Sequence, residues 1–133
     1  QFDNGPHRPG VSYSRIVEVD PATNEVAWEY KGDPPISFYS YQISGTQRLP
    51  NGNTLICEGG AGRIFEVTPN NEIVWEYVNP FLAQSGAVVG ATPTSYANSV
   101  FRGHRYGPDL SGLRGKDLYP ARYANINRLH LVG

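Results

Sequence analysis

The 133-residue sequence predicts an all-β repeat fold: β-propeller blades of four antiparallel strands, one complete blade plus parts of two neighbours, expected to belong to a larger propeller. The first supporting observation is an internal repeat. Ser14-Arg15-Ile16-Val17-Glu18-Val19-Asp20-Pro21 recurs as Gly62-Arg63-Ile64-Phe65-Glu66-Val67-Thr68-Pro69, and Glu25-Val26-Ala27-Trp28-Glu29-Tyr30 recurs as Glu72-Ile73-Val74-Trp75-Glu76-Tyr77. The offset is 48 between Arg15 and Arg63 and 47 between Trp28 and Trp75, inside the spacing of four-stranded repeat units. The second is turn chemistry: Thr68-Pro69-Asn70-Asn71-Glu72 and Asp20-Pro21-Ala22-Thr23-Asn24 supply Pro to set φ and Asn to accept positive φ. The third is composition, with 15 Gly and 11 Pro beside nine Tyr and two Trp, the balance of many turns between short aromatic-rich strands.

In chain order, Gln1–Gly5 reads as the end of a second strand, and residues 11–30 as the two outer strands of a preceding blade. Tyr39, Ser40, Tyr41 and Gln42 lie where the chain crosses to the inner edge of the next unit. The complete unit, residues 44–79, has strands at Gly45–Leu49, Thr54–Glu58, Arg63–Val67 and Ile73–Tyr77, each rich in β-branched and aromatic residues. Asn51-Gly52 is a strong hairpin signal between the first two. Residues 83–95 read as a loop within a linking stretch, 80–97. Residues 98–106 read as the innermost strand of a following partial blade (98–133), 109–118 as a helical turn or loop, and 126–132 as a final strand. The preceding partial blade and crossover take residues 1–43. Such units rarely stand alone, so the remaining blades are expected on sequence outside this chain or on partner chains; the absence of methionine favours the former.

Eleven Lys and Arg balance twelve Asp and Glu without a like-charge block, which argues against a nucleic-acid or membrane-surface role. No apolar run is long enough for a transmembrane span. The single cysteine, Cys57, sits in a strand-like run and reads as a small buried apolar side chain. There is no Gly-rich phosphate loop, nucleophile elbow or HExxH motif, and no cofactor is expected.

The stretch Ile43-Ser44-Gly45-Thr46-Gln47-Arg48-Leu49-Pro50-Asn51-Gly52-Asn53-Thr54-Leu55-Ile56, continued by the Arg63–Pro69 and Glu72–Tyr77 elements, resembles the blade motif of bacterial arylsulfotransferase-like propeller proteins. The resemblance extends over most of residues 1–106, with Phe2-Asp3-Asn4-Gly5 similar to a neighbouring segment. It implies a periplasmic or extracellular protein that moves a sulfuryl group between phenolic compounds through a channel histidine, with cationic side chains holding the sulfate. Active members of that family often carry His-Asp where this sequence has Ser44-Gly45, so no matched catalytic histidine is present and a non-catalytic propeller module for ligand binding or scaffolding is the alternative.

His104 is the one histidine on an expected innermost strand and is the candidate catalytic residue. Arg102 and Arg105 flank it, and alternation places Arg102, His104 and Tyr106 on one face and Arg105 on the other. These residues, with Gln47, Arg48 and Tyr39, are the candidate binding set for a small aromatic or sulfated ligand. The competing expectation pairs the two arginines with Asp109 or Asp117. Arg15 and Arg63, equivalent across the repeat, are expected to be architectural, paired with carboxylates such as Glu18 or Glu66, and Trp28 and Trp75 to pack between units.

Overall fold

The computed structural model describes residues 1–85 and 95–123. The expected final strand at 126–132, with His130, lies outside them. Among the described residues the chain is all-β, with short 3-10 turns and no α-helix. The first sheet, in the order β1 (Phe2–Asp3), β2 (Arg15–Val19), β3 (Val26–Lys31), is antiparallel throughout. The second runs β4 (Gly45–Arg48), β5 (Thr54–Glu58), β6 (Arg63–Val67), β7 (Ile73–Val78), again antiparallel and in chain order.

Both copies of the repeat fold alike because their local instructions match. Ile16 pairs with Tyr30 as Ile64 pairs with Tyr77, and Glu18 with Trp28 as Glu66 with Trp75. Each hairpin carries an irregularity at the same place, after Glu18 and after Glu66. Asn24 and Asn71 take φ of 58° and 68°, as the turn sequences required, and Gly52 takes 87° in the Asn-Gly turn.

The core forms between the two sheets. Ile16 and Tyr30 of the first sheet meet Ile56, Phe65 and Val67 of the second, and Phe38 from the crossover fills the seam. Phe38 and Phe65 meet edge to face at 5.7 Å, with Tyr30 at 5.5 Å from Phe38 and 5.6 Å from Phe65. Trp28 Nε1 donates to the Pro69 carbonyl at 2.9 Å, and Asn71 Nδ2 donates to the Glu29 carbonyl at 3.1 Å, so Trp28 packs between the two sheets, whereas Trp75 is exposed.

The repeated arginines are architectural, but their partners differ from those expected. Arg15 bonds Asp3 and Glu29 at 2.9 Å each, and Arg63 bonds Glu58 at 3.3 Å and also Glu76. Three residues apart on a strand, Arg15 and Glu18 lie on opposite faces, as do Arg63 and Glu66, so those pairs cannot form. Glu18 and Glu66 instead take arginines from the next segment. Arg48 pairs with Glu18 and lies 4.9 Å from the Trp28 ring centroid; Arg105 pairs with Glu66 and lies 4.6 Å from that of Trp75. The same Glu–Trp–Arg clamp therefore occurs twice.

Residues 83–97 are not wholly loop: β8 (Ala83–Ser85) pairs with β9 (Ser95–Ala97). Residues 98–106 form no ladder strand among the described residues. They cross the outer face of the second sheet, held by Val100 N–H to the Gly59 carbonyl at 2.9 Å and by a reciprocal pair between Gln47 and the Arg105 backbone, 2.9 Å each way. Gly59 is wedged here: a Cβ would come within 2.2 Å of the Ile43 carbonyl oxygen and 2.4 Å of that of Val100. Gly59→Ala is expected to lower Tm by several degrees and to expose the Val100 amide to hydrogen exchange. Unchanged protection at Val100 would contradict the wedge.

Candidate functional site

At the inner edge, where β4 faces residues 102–104, lies a cleft of about 300 Å³ lined by Phe2, Ser44, Gly45, Thr46, Arg102, Gly103 and His104. Each wall has a local cause. Asn4 Nδ2 donates to Ser44 Oγ at 3.1 Å and to the Ser40 carbonyl, fixing the entry to β4. Gly45 leaves room for its neighbour: a Cβ would sit 3.4 Å from Arg102 Cγ. Gly103 lies against the sheet, where a Cβ would meet Ile64 Cδ1 at 2.9 Å. Gly103 and Arg105 are half-buried, whereas Arg102, His104 and Tyr106 are exposed.

Arg102 forms no ion pair among the described residues; its guanidinium lies 5.9 Å from the Phe101 ring centroid. His104 lies 6.3 Å from Tyr106, ring to ring, with no hydrogen bond among the described residues. The cleft thus offers a guanidinium without an ion pair among the described residues, an imidazole and two hydroxyl side chains, a donor set suited to a tetrahedral oxyanion.

Of the sequence-predicted residues, only Arg102 and His104 meet there. Arg105 is held by Glu66 and the Trp75 ring, not by Asp109 or Asp117, and Arg48 by Glu18, the Gly52 carbonyl at 2.9 Å and the Trp28 ring. Gln47 is occupied with the Arg105 backbone. Tyr106 borders a separate depression with Leu55, Ile64 and Trp75. Tyr39 stands beside Glu58, whose carboxylate accepts its backbone N–H at 2.9 Å. Phe2 and Thr46 were not foreseen. Thr46 shares the strand alternation of Ser44, a usable signal, whereas nothing local announces Phe2.

A larger opening, about 760 Å³, lies between Tyr30, Lys31, Asp33, Phe38, Arg63 and Ile73. Its cations are already matched, Arg63 with Glu58 and Glu76 and Lys31 with Glu29, so the smaller inner cleft holds the uncompensated charge. Cys57 is buried, its thiol pushed up by burial, which removes it as a nucleophile. Among the described residues no cluster of three His, Cys, Asp or Glu could hold a metal, and no helix is long and apolar enough to cross a membrane.

The fold and cleft define an all-β protein built on a repeated antiparallel sheet, with a cationic cleft beside the edge strand β4. No family model, curated protein or solved structure matches the chain.

Proposed function

We propose that the chain is a run of β-propeller blades of the arylsulfotransferase-like kind, acting in a periplasmic or extracellular setting, whose inner-edge cleft binds a small sulfated or sulfonated aromatic compound. The observation that carries this is the Arg102 guanidinium, without an ion pair among the described residues, beside His104, Ser44 and Thr46 at the β4 edge of the sheet. The binding role is favoured over catalysis because no carboxylate or carbonyl orients the His104 imidazole among the described residues, whereas an activated nucleophile needs such a partner. Sulfuryl transfer is the second reading: the imidazole nitrogen would attack sulfur as the S–O bond to the phenol breaks, and the group would pass on to an acceptor phenol.

Titration with 4-nitrophenyl sulfate tests both. Binding is expected, weakening with salt, and Arg102→Ala is expected to reduce affinity about tenfold, the worth of one charge-assisted hydrogen bond. Equal affinity of the variant and the parent overturns the assignment. Release of 4-nitrophenol that disappears in His104→Ala would establish the transfer reading instead.

A further inference from the structure

The two copies of the repeat provide an internal control on burial. Tyr30 is 5 % exposed and Ile16 2 %, because the second sheet covers them. Their equivalents on the second sheet are open: Tyr77 is 41 % exposed, Trp75 42 %, and Ile64 only half-buried. Trp75 and Tyr77 stack at 6.5 Å with an 11° interplanar angle, forming a flat aromatic surface. Trp28 spends its indole N–H on the Pro69 carbonyl, whereas that of Trp75 has no acceptor among the described residues. The Arg105–Glu66–Trp75 clamp is nevertheless already closed, as its counterpart is in the occupied seam. This face is built like the covered one, but among the described residues only the 98–106 segment crosses it, with Gly103 against Ile64 and Arg105 over Trp75, and no second sheet covers it.

The mating surface is on the same chain. The face of the second sheet that covers the first carries Phe65 and Val67, with the Pro69 turn beside it. Its counterpart on the first sheet carries Val17, already buried at 8 % exposure, and Val19 with the Pro21 turn, and Val19 is 44 % exposed where Val67 is fully buried. The charged groups also correspond: the Arg15–Glu29 pair stands where Arg63–Glu76 stands in the seam. The first sheet has three strands and no counterpart of β4, while residues 98–106 lie against the second sheet as β4 lies against the first, Arg105 on Glu66 and Trp75 matching Arg48 on Glu18 and Trp28.

We infer that the Ile64–Trp75–Tyr77 face docks a second copy of this chain, which presents its Val17–Val19 face and lets its Pro21 carbonyl accept the Trp75 indole N–H. The contact is head to tail, so it propagates into a ring or an open filament rather than closing as a symmetric dimer. It is independent of anion binding at the inner cleft.

Light scattering coupled to size exclusion, run over a concentration series on the full chain, tests it. Species at multiples of 14.6 kDa are expected, growing with concentration. Tyr77→Asp and Val19→Asp, both at exposed positions and checked for unchanged circular dichroism, are each expected to be monomeric. Mixed together they are expected to give a heterodimer, because one intact Tyr77 face then meets one intact Val19 face. A chain that stays monomeric at every concentration, or association that survives Tyr77→Asp, overturns the inference. So does association abolished by Tyr77→Asp yet untouched by Val19→Asp, the mark of a symmetric contact. Arg102→Ala is expected to associate like the parent, which keeps the outcome separable from the ligand-binding test.

Discussion

Phe65→Ala is expected to destabilise the protein by about 3–5 kcal/mol, the range for truncating a fully buried aromatic side chain. Phe65 is inaccessible to solvent and occupies the centre of the seam, with Phe38 and Tyr30 rings against it and the Arg63 guanidinium 4.2 Å from its ring centroid. No neighbour can collapse into the space readily, because the rings around it belong to the crossover and to the opposite sheet. Domains of this size are stable by roughly 5–15 kcal/mol, so the loss is a large part of the whole. The expected result is a fall in the urea midpoint with a drop in Tm of about 10 °C or more. A change below about 1 kcal/mol would mean that the two sheets are not held by this seam.

Arg63→Met is expected to cost about 3 kcal/mol at neutral pH, since it leaves a buried carboxylate without its cation while keeping an apolar stem over Phe65. Glu58 is 4 % exposed and sits between Arg63 and the Tyr39 backbone N–H. Burial pushes its carboxyl above the usual value of 4.5, against the lowering effects of the Tyr39 N–H and Arg63. Removing Arg63 raises it further. A carboxyl whose folded pKa lies above its unfolded value favours folding in the protonated form, and this contribution is lost as pH rises through the folded pKa. The penalty in Arg63→Met is therefore expected to be largest at neutral pH and to shrink on acidification towards 4.5, measured as the difference in unfolding free energy from the parent at each pH. A penalty that is flat with pH would sink the account. Glu66 runs the other way: burial raises its carboxyl, but Asn53, Asn51 and Arg105 outweigh this and hold it below 4.5. Its contribution is present above that value and is lost in acid, so Glu66→Gln is expected to remove part of the parent's own acid sensitivity.

The sequence by itself determined the hairpins. Strand residues at alternate positions, a Pro-Asn turn and a Trp-Glu-Tyr close are local instructions, and two copies of them produced two matching antiparallel pairs, down to positive φ at Asn24 and Asn71. Tertiary structure decided what each side chain met. Alternation excludes Glu18 as a partner for Arg15, but only the fold shows that Asp3 and Glu29 stand beside it. Residues 98–106 have strand-like composition, yet they lie across a sheet face and join no ladder among the described residues. Tyr30 and Tyr77 come from the same motif and differ in exposure, because burial belongs to the neighbouring sheet and not to the residue. Periodicity is written along the chain, whereas ion-pair choice and burial are set by segments distant in sequence.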